Sequence, residues 1–169
     1  MILDGQNCFS AIATGDSPTD VADNECNNMI DQGVNGLSGF RGEGGAYVAP
    51  WVIVRVSTPF TTTGGYITAV LQDSADGTTD WTDILNGPTL AGAQVAGYPL
   101  LAARIPPTAR RYLQVVYRIS TAVLAAGSVT AFLTLDKDVI DQALRHTTFV
   151  QFSQSGQISE AVANGVLGS

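Results

Sequence analysis

The most regular alternation of hydrophobic and polar positions lies between Arg110 and Asp136. In RRYLQVVYRI, Leu113, Val115, Tyr117 and Ile119 fall on one side, with Tyr112, Gln114 and Arg118 on the other. After the connection STAVLAAG, the segment SVTAFLTLD repeats the pattern, with Val129, Ala131, Leu133 and Leu135 opposite Ser128, Thr130 and Thr134. Successive side chains on a strand point to opposite faces, so each arm is predicted to be a strand with one buried face. The connection contains Gly127, and the simplest geometry joining the arms is an antiparallel hairpin.

Further strands are predicted upstream. Trp51–Val56 is a β-branched run bounded by Pro50 and by the turn Ser57-Thr58-Pro59. Tyr66–Gln72 places Ile67, Ala69 and Leu71 on one face. Trp81–Leu85 ends at Asn86-Gly87-Pro88, where a loop to Gly97 begins. Leu100–Ile105 turns Leu101, Ala103 and Ile105 inward, and Pro106-Pro107 separates it from Arg110. Asn27–Gln32 is a further short strand. Residues 33–50 are dense in glycine and read as a long irregular loop. Short strands with turn signals between them predict an all-β fold, a jelly-roll β-sandwich of about eight antiparallel strands.

The period changes after Asp136. Val139, Ile140, Ala143 and Leu144 share one side of a helix, with Asp136 and Asp138 at its start and Arg145 and His146 at its end, the polarity the helix dipole favours. Beyond it, Phe149, Val150 and Phe152 lie in a short extended run whose surroundings hold too few apolar residues for a separate core. The expected organisation is a sandwich domain over residues 1–136 and a helix with an extended arm over 137–169.

Composition narrows the partners. Charged residues make up 14% of the chain against 45% hydrophobic, so a core is available while the surface is poor in charge. The net charge is -7 and Lys137 is the sole lysine. An acidic chain gains nothing from counterion release, which argues against nucleic acid. No apolar run approaches the roughly 20 residues that cross a bilayer, and the Met1-Ile2-Leu3-Asp4 start has no secretory pattern, so no membrane partner and a cytoplasmic site of synthesis are expected. Two cysteines, Cys8 and Cys26, do not make a disulfide framework and are expected to be unpaired thiols.

Candidate chemistry is sparse. His146 is the single histidine, and a zinc site would need both cysteines and a carboxylate from distant segments. The glycine-rich loop lacks GxxxxGK[ST], and Asn35–Gly39 lacks the spacing of a nucleophile elbow. The acidic loop Asp73, Asp76, Asp80 and Asp83 offers hard oxygen ligands and is the candidate calcium site, although its spacing is not that of an EF-hand and an Asp-Gly turn needs no metal. Trp81 is either a sugar-stacking platform or a core residue. No catalytic residue and no cofactor are expected. The rival classes are a carbohydrate-binding module using Trp81 and a small hydrolase using Asp76 or His146.

MILDGQNCFS, WVIVRV, YITAVLQDSADG, LLAARIPPTARRYLQVVYRI and GSVTAFLTLD, in that order, resemble the capsid cement, or decoration, proteins of tailed bacteriophages, a family typified by a short-tailed Bordetella phage. The resemblance covers residues 1–10 and 50–136 and rests on order and spacing. Residues 11–50 are longer and richer in glycine than that pattern, and 137–169 run past its last strand. The resemblance implies a structural virion protein, assembled in the host bacterial cytoplasm, on the exterior of a capsid built from the phage major capsid protein. It also implies homodimers, or trimers, that clamp neighbouring capsid subunits. Under it, the apolar residues near both ends, Ile2, Leu3, Phe9, Phe149, Val150 and Phe152, are the expected interface.

Overall fold

The computed structural model describes residues 7–10, 17–18, 23–33, 50–61, 64–91, 94–136 and 138–145. In chain order the strands are β1 (Asp23–Glu25), β2 (Ile30–Asp31), β3 (Trp51–Thr58), β4 (Tyr66–Ser74), β5 (Thr82–Asn86), β6 (Leu90–Ala91), β7 (Pro99–Arg104), β8 (Tyr112–Ser120) and β9 (Ser128–Thr134). They form two antiparallel sheets, which makes the chain an all-β sandwich. The larger sheet is built on β4 and β8, paired without a break from Tyr66 opposite Ser120 to Ser74 opposite Tyr112. β1 and β2 extend it beyond β8, and β5 and β6 beyond β4. In the smaller sheet β3 lies between β7 and β9.

Period-two alternation sends one side of each strand between the sheets. Ile67, Ala69 and Leu71 of β4 and Leu113, Val115, Tyr117 and Ile119 of β8 meet Val52, Val54, Val56, Val129, Ala131 and Leu133 of the smaller sheet. A register shift between Val54 and Arg55 leaves Leu100 as an extra residue on β7, so that Leu100 turns inward along with Leu101. At the closed edge, a Cβ on Gly87 would stand 2.3 Å from the Leu100 carbonyl oxygen and 3.0 Å from that of Ala69. A glycine there lets the β5–β6 edge meet β7.

Two expectations change. β8 and β9 are not a hairpin: they belong to different sheets, and residues 121–127 cross between them. Leu124 drops into the core, and the Thr61 amide and hydroxyl both donate to the Ala125 carbonyl at 2.9 Å, so the connection is tied down as an arch over the end of the sandwich. Asn27–Gln32 is strand only at Ile30–Asp31, with β1 preceding it.

The polar side of β9 is only partly polar. Phe132 shares that side with Thr130 and Thr134, yet it is fully buried with Ile53 and Cys8 on the outer face of the smaller sheet. A helix over 138–145, α1, covers them with Val139 and Ala143. Asp136 starts this helix: its carboxylate accepts from the Asp138 amide at 2.9 Å and its carbonyl from the Ile140 amide at 3.1 Å.

Candidate functional site

The acidic loop after β4 is built from the inside. The Asp76 carboxylate accepts from the amides of Thr79 (2.8 Å) and Thr78 (2.9 Å) and from the hydroxyls of Thr79 (2.7 Å) and Ser74 (2.9 Å). Those donors, the Thr79 amide foremost, hold its carboxyl well below the usual carboxylate range. Gly77, at φ 76°, lets the turn lie flat on the Tyr112 ring, 3.0 Å from where a Cβ would be.

The other three carboxylates of the loop diverge. Asp73 is buried and accepts from the Arg110 amide and Nε, both at 2.8 Å, while Nη2 of the same arginine reaches the carbonyls of Asp73 (2.6 Å) and Asp80 (2.7 Å). Asp83 lies on the outer face of the larger sheet, where Arg118 donates to it at 2.6 and 3.1 Å and Gln72 at 2.8 Å. The Arg118 hydrogen bonds lead in lowering its pKa. Asp80 takes a left-handed φ of 52° at the turn into β5, and Trp81 beside it is half-buried. Arg110 thus fastens the loop to β8 through the carboxylate and carbonyls that a cation would need. Among the described residues, no group of three or more His, Cys, Asp or Glu side chains could hold a metal ion.

Of the expected interface residues, Phe9 is corrected: it is fully buried in the sandwich core and offers nothing to a partner. Ile2, Leu3, Phe149, Val150 and Phe152 lie outside the described residues, as does His146. Cys8 is buried and Cys26 half-buried, and neither is in a disulfide; Cys26 donates to the Asn28 carbonyl at 2.9 Å and accepts from the Val115 amide at 3.3 Å.

The arrangement that strand reasoning missed is a separation of charge along the strands. At one end, where β4 finishes and β8 begins, lie Asp73, Asp76, Asp80, Arg110 and the bidentate pair of Arg111 with Asp31 at 2.6 and 2.7 Å. At the other end, the described residues of the connections 57–66, 87–99 and 119–128 include no charged side chain. Registers place them together: Tyr66 opposes Ser120 and Ala91, Thr58 opposes Ser128, and the Gly97 amide donates to the Val56 carbonyl at 2.7 Å. This end exposes Tyr66 (45%), Val95 (62%) and Val123 (55%). The strand pattern reports faces, whereas this surface depends on which loops the topology gathers. Besides these ends, a groove of about 200 Å³ between α1 and β3 is lined by Ile53, Arg55, Pro99, Val139 and Ala143, with the Arg55 guanidinium 5.5 Å from the centre of the Phe132 ring.

The Bbp16 family model matches residues 12–133. The match includes most of the 11–50 stretch that departs from the cement-protein pattern, and it begins after residues 1–10. No curated protein matches the chain.

Proposed function

We propose, because the chain belongs to the Bbp16 family, that it is a structural virion protein which binds the outer surface of an icosahedral phage capsid and holds neighbouring major capsid protein subunits together. The family is named like a Bordetella phage protein, which makes the chain phage-related. The observation that carries the proposal is the extent of the match: residues 12–133 take in every strand except the last residue of β9, so the family identity resides in the sandwich itself.

The physical design supports it. The acidic loop is riveted by its own side chains and by Arg110, which makes a fixed shape out of groups that a reactive site would leave free. A clamp needs such a rigid body with surfaces for its neighbours. Weak contacts repeated over a lattice add through effective concentration, so no single contact has to be strong. In this proposal the chain acts as a homo-oligomer, a dimer first, without catalysis or cofactor, and Phe149, Val150 and Phe152 form a strand added to a neighbouring chain's sheet edge.

The test is co-sedimentation of the full-length chain with empty shells of the phage major capsid protein, followed by a density map of the decorated shell. Regular occupancy on the exterior at sites between capsid subunits is expected. Density confined to the interior or the tail, or no co-sedimentation at saturating protein, would sink the proposal.

A further inference from the structure

We propose that the groove between α1 and β3 takes an apolar side chain of the major capsid protein together with a neighbouring aspartate or glutamate, whose carboxylate pairs with Arg55. This rests on the capsid reading of the preceding section and names a contact through which the shell is held.

Period-two alternation puts Ile53 and Arg55 together on the outer face of the smaller sheet, with Arg55 between Pro99 of β7 and Thr130 of β9. Ile53, Pro99, Val139 and Ala143 give the groove its apolar walls, and Arg55 and Gln142 its polar ones. Its volume of about 200 Å³ holds one large side chain. A cofactor or other small molecule ordinarily takes roughly 300–1,000 Å³. The size therefore fits a knob on a protein surface. The helical wall comes from α1, beyond residue 133 where the family match ends, so the matched segment does not form this groove by itself.

Charge selects the occupant. Arg110, Arg111 and Arg118 each form an ion pair with an aspartate at 2.6 or 2.7 Å. Among the described residues no carboxylate is ion-paired with Arg55, and Asp138 and Asp141 of α1 line a separate hollow with Arg145. Arg55 is half-buried, its guanidinium 5.5 Å from the centre of the fully buried Phe132 ring. The ring holds the cation in place without neutralising it. An apolar side chain seated on Ile53 and Val139 strips water from Arg55. Without an anion beside it, that leaves a desolvated charge unpaired, which is unfavourable. A carboxylate next to the apolar side chain removes the penalty and pairs with the guanidinium through two parallel hydrogen bonds. In a chain of net charge -7 the acidic surface repels such a segment elsewhere, so the pairing at Arg55 also fixes where it sits.

Co-sedimentation isotherms of the full chain with empty shells of the major capsid protein test this. R55Q keeps the side-chain stem beside Phe132 and removes the charge. It should bind shells roughly 30-fold or more weakly with an unchanged melting temperature. R104Q, which neutralises an exposed arginine of β7 outside the groove, should bind like the wild type. In a density map of the decorated shell, an aspartate or glutamate beside an apolar residue should lie against Arg55, and changing that acid to arginine should restore binding by R55E. R55Q that binds as tightly as the wild type, or R104Q that weakens binding as much, overturns the groove contact and leaves the capsid reading standing. A wild type that does not sediment with shells overturns both. R55Q that lowers the melting temperature of the full chain but not of a chain ended after His146 gives the groove to the chain's own arm. R55Q that dissociates a wild-type oligomer gives it to a second copy. Either result also overturns the proposal.

Discussion

At the scale of single residues, the carboxylates differ in what their partners do for stability. Asp73 is 4% exposed and held by the amide and Nε of Arg110, whose side chain is about a third exposed. Removing Arg110 strands a buried carboxylate on one backbone donor, and Arg110→Ala is expected to cost about 2–4 kcal/mol, discounted for the wet side of the pair. Breaking the exposed pair with Arg111→Ala should cost much less, because solvent screens it. Urea denaturation of the two variants checks the order. Asp31 supplies the acid dependence. Hydrogen bonds from Arg111, then the Gly33 amide, lower its pKa to about 2. A depressed carboxylate contributes stability that is complete above its unfolded pKa of about 4 and disappears as pH falls through the folded value. Stability should therefore hold from neutrality to about pH 5 and decline from about pH 4 to 2, with a shallower decline in Asp31→Asn. Asp76, held lower still, keeps its contribution further into acid.

At the scale of elements, the arch 121–127 yields two predictions of opposite sign. Gly127→Ala places a Cβ against the buried Phe60 ring in a left-handed conformation, and should destabilise by at least about 1–3 kcal/mol. Ala126→Gly relieves the same kind of backbone strain at φ 52° and should stabilise by about 0.5–1 kcal/mol, after the greater entropy of an unfolded glycine is set against it. Thermal melts of the pair separate a strained arch from a slack loop. The arch also marks where sequence reasoning stops. Leu113 to Ile119 and Val129 to Leu133 were legible because alternation states which side chains share a face. It does not state which strand lies alongside, so the crossing between sheets was hidden in a connection long enough for either route. The alternation assigned Phe132 to neither face, because its burial depends on α1 packing over the outer face of the smaller sheet beside Ile53. The acidic loop was legible as a cluster. Its occupation by Arg110 was not, because a contact from residue 73 to residue 110 follows from the pairing of β4 with β8.

At the scale of the whole molecule, the question is where the self-contained body ends. The helix over 138–145 belongs to it: Val139 and Ala143 close over Ile53, Phe132 and Cys8, each at most 1% exposed. Ending the chain at Asp136 would uncover Ile53 and Phe132 at about 1.5–3 kcal/mol apiece, a large share of the stability of a domain this size. That truncation is expected to lower the melting temperature by more than about 10 °C or to prevent folding. Ending it after His146 keeps the helix and removes only the arm with Phe149, Val150 and Phe152. Under the clamp proposal those side chains are buried against a neighbouring chain. The shorter truncation should then melt close to the full-length protein while losing oligomerisation or shell binding. A truncation at His146 that melts much earlier would assign the arm to its own sandwich. One that oligomerises and binds shells as tightly as before would remove the arm from the clamp.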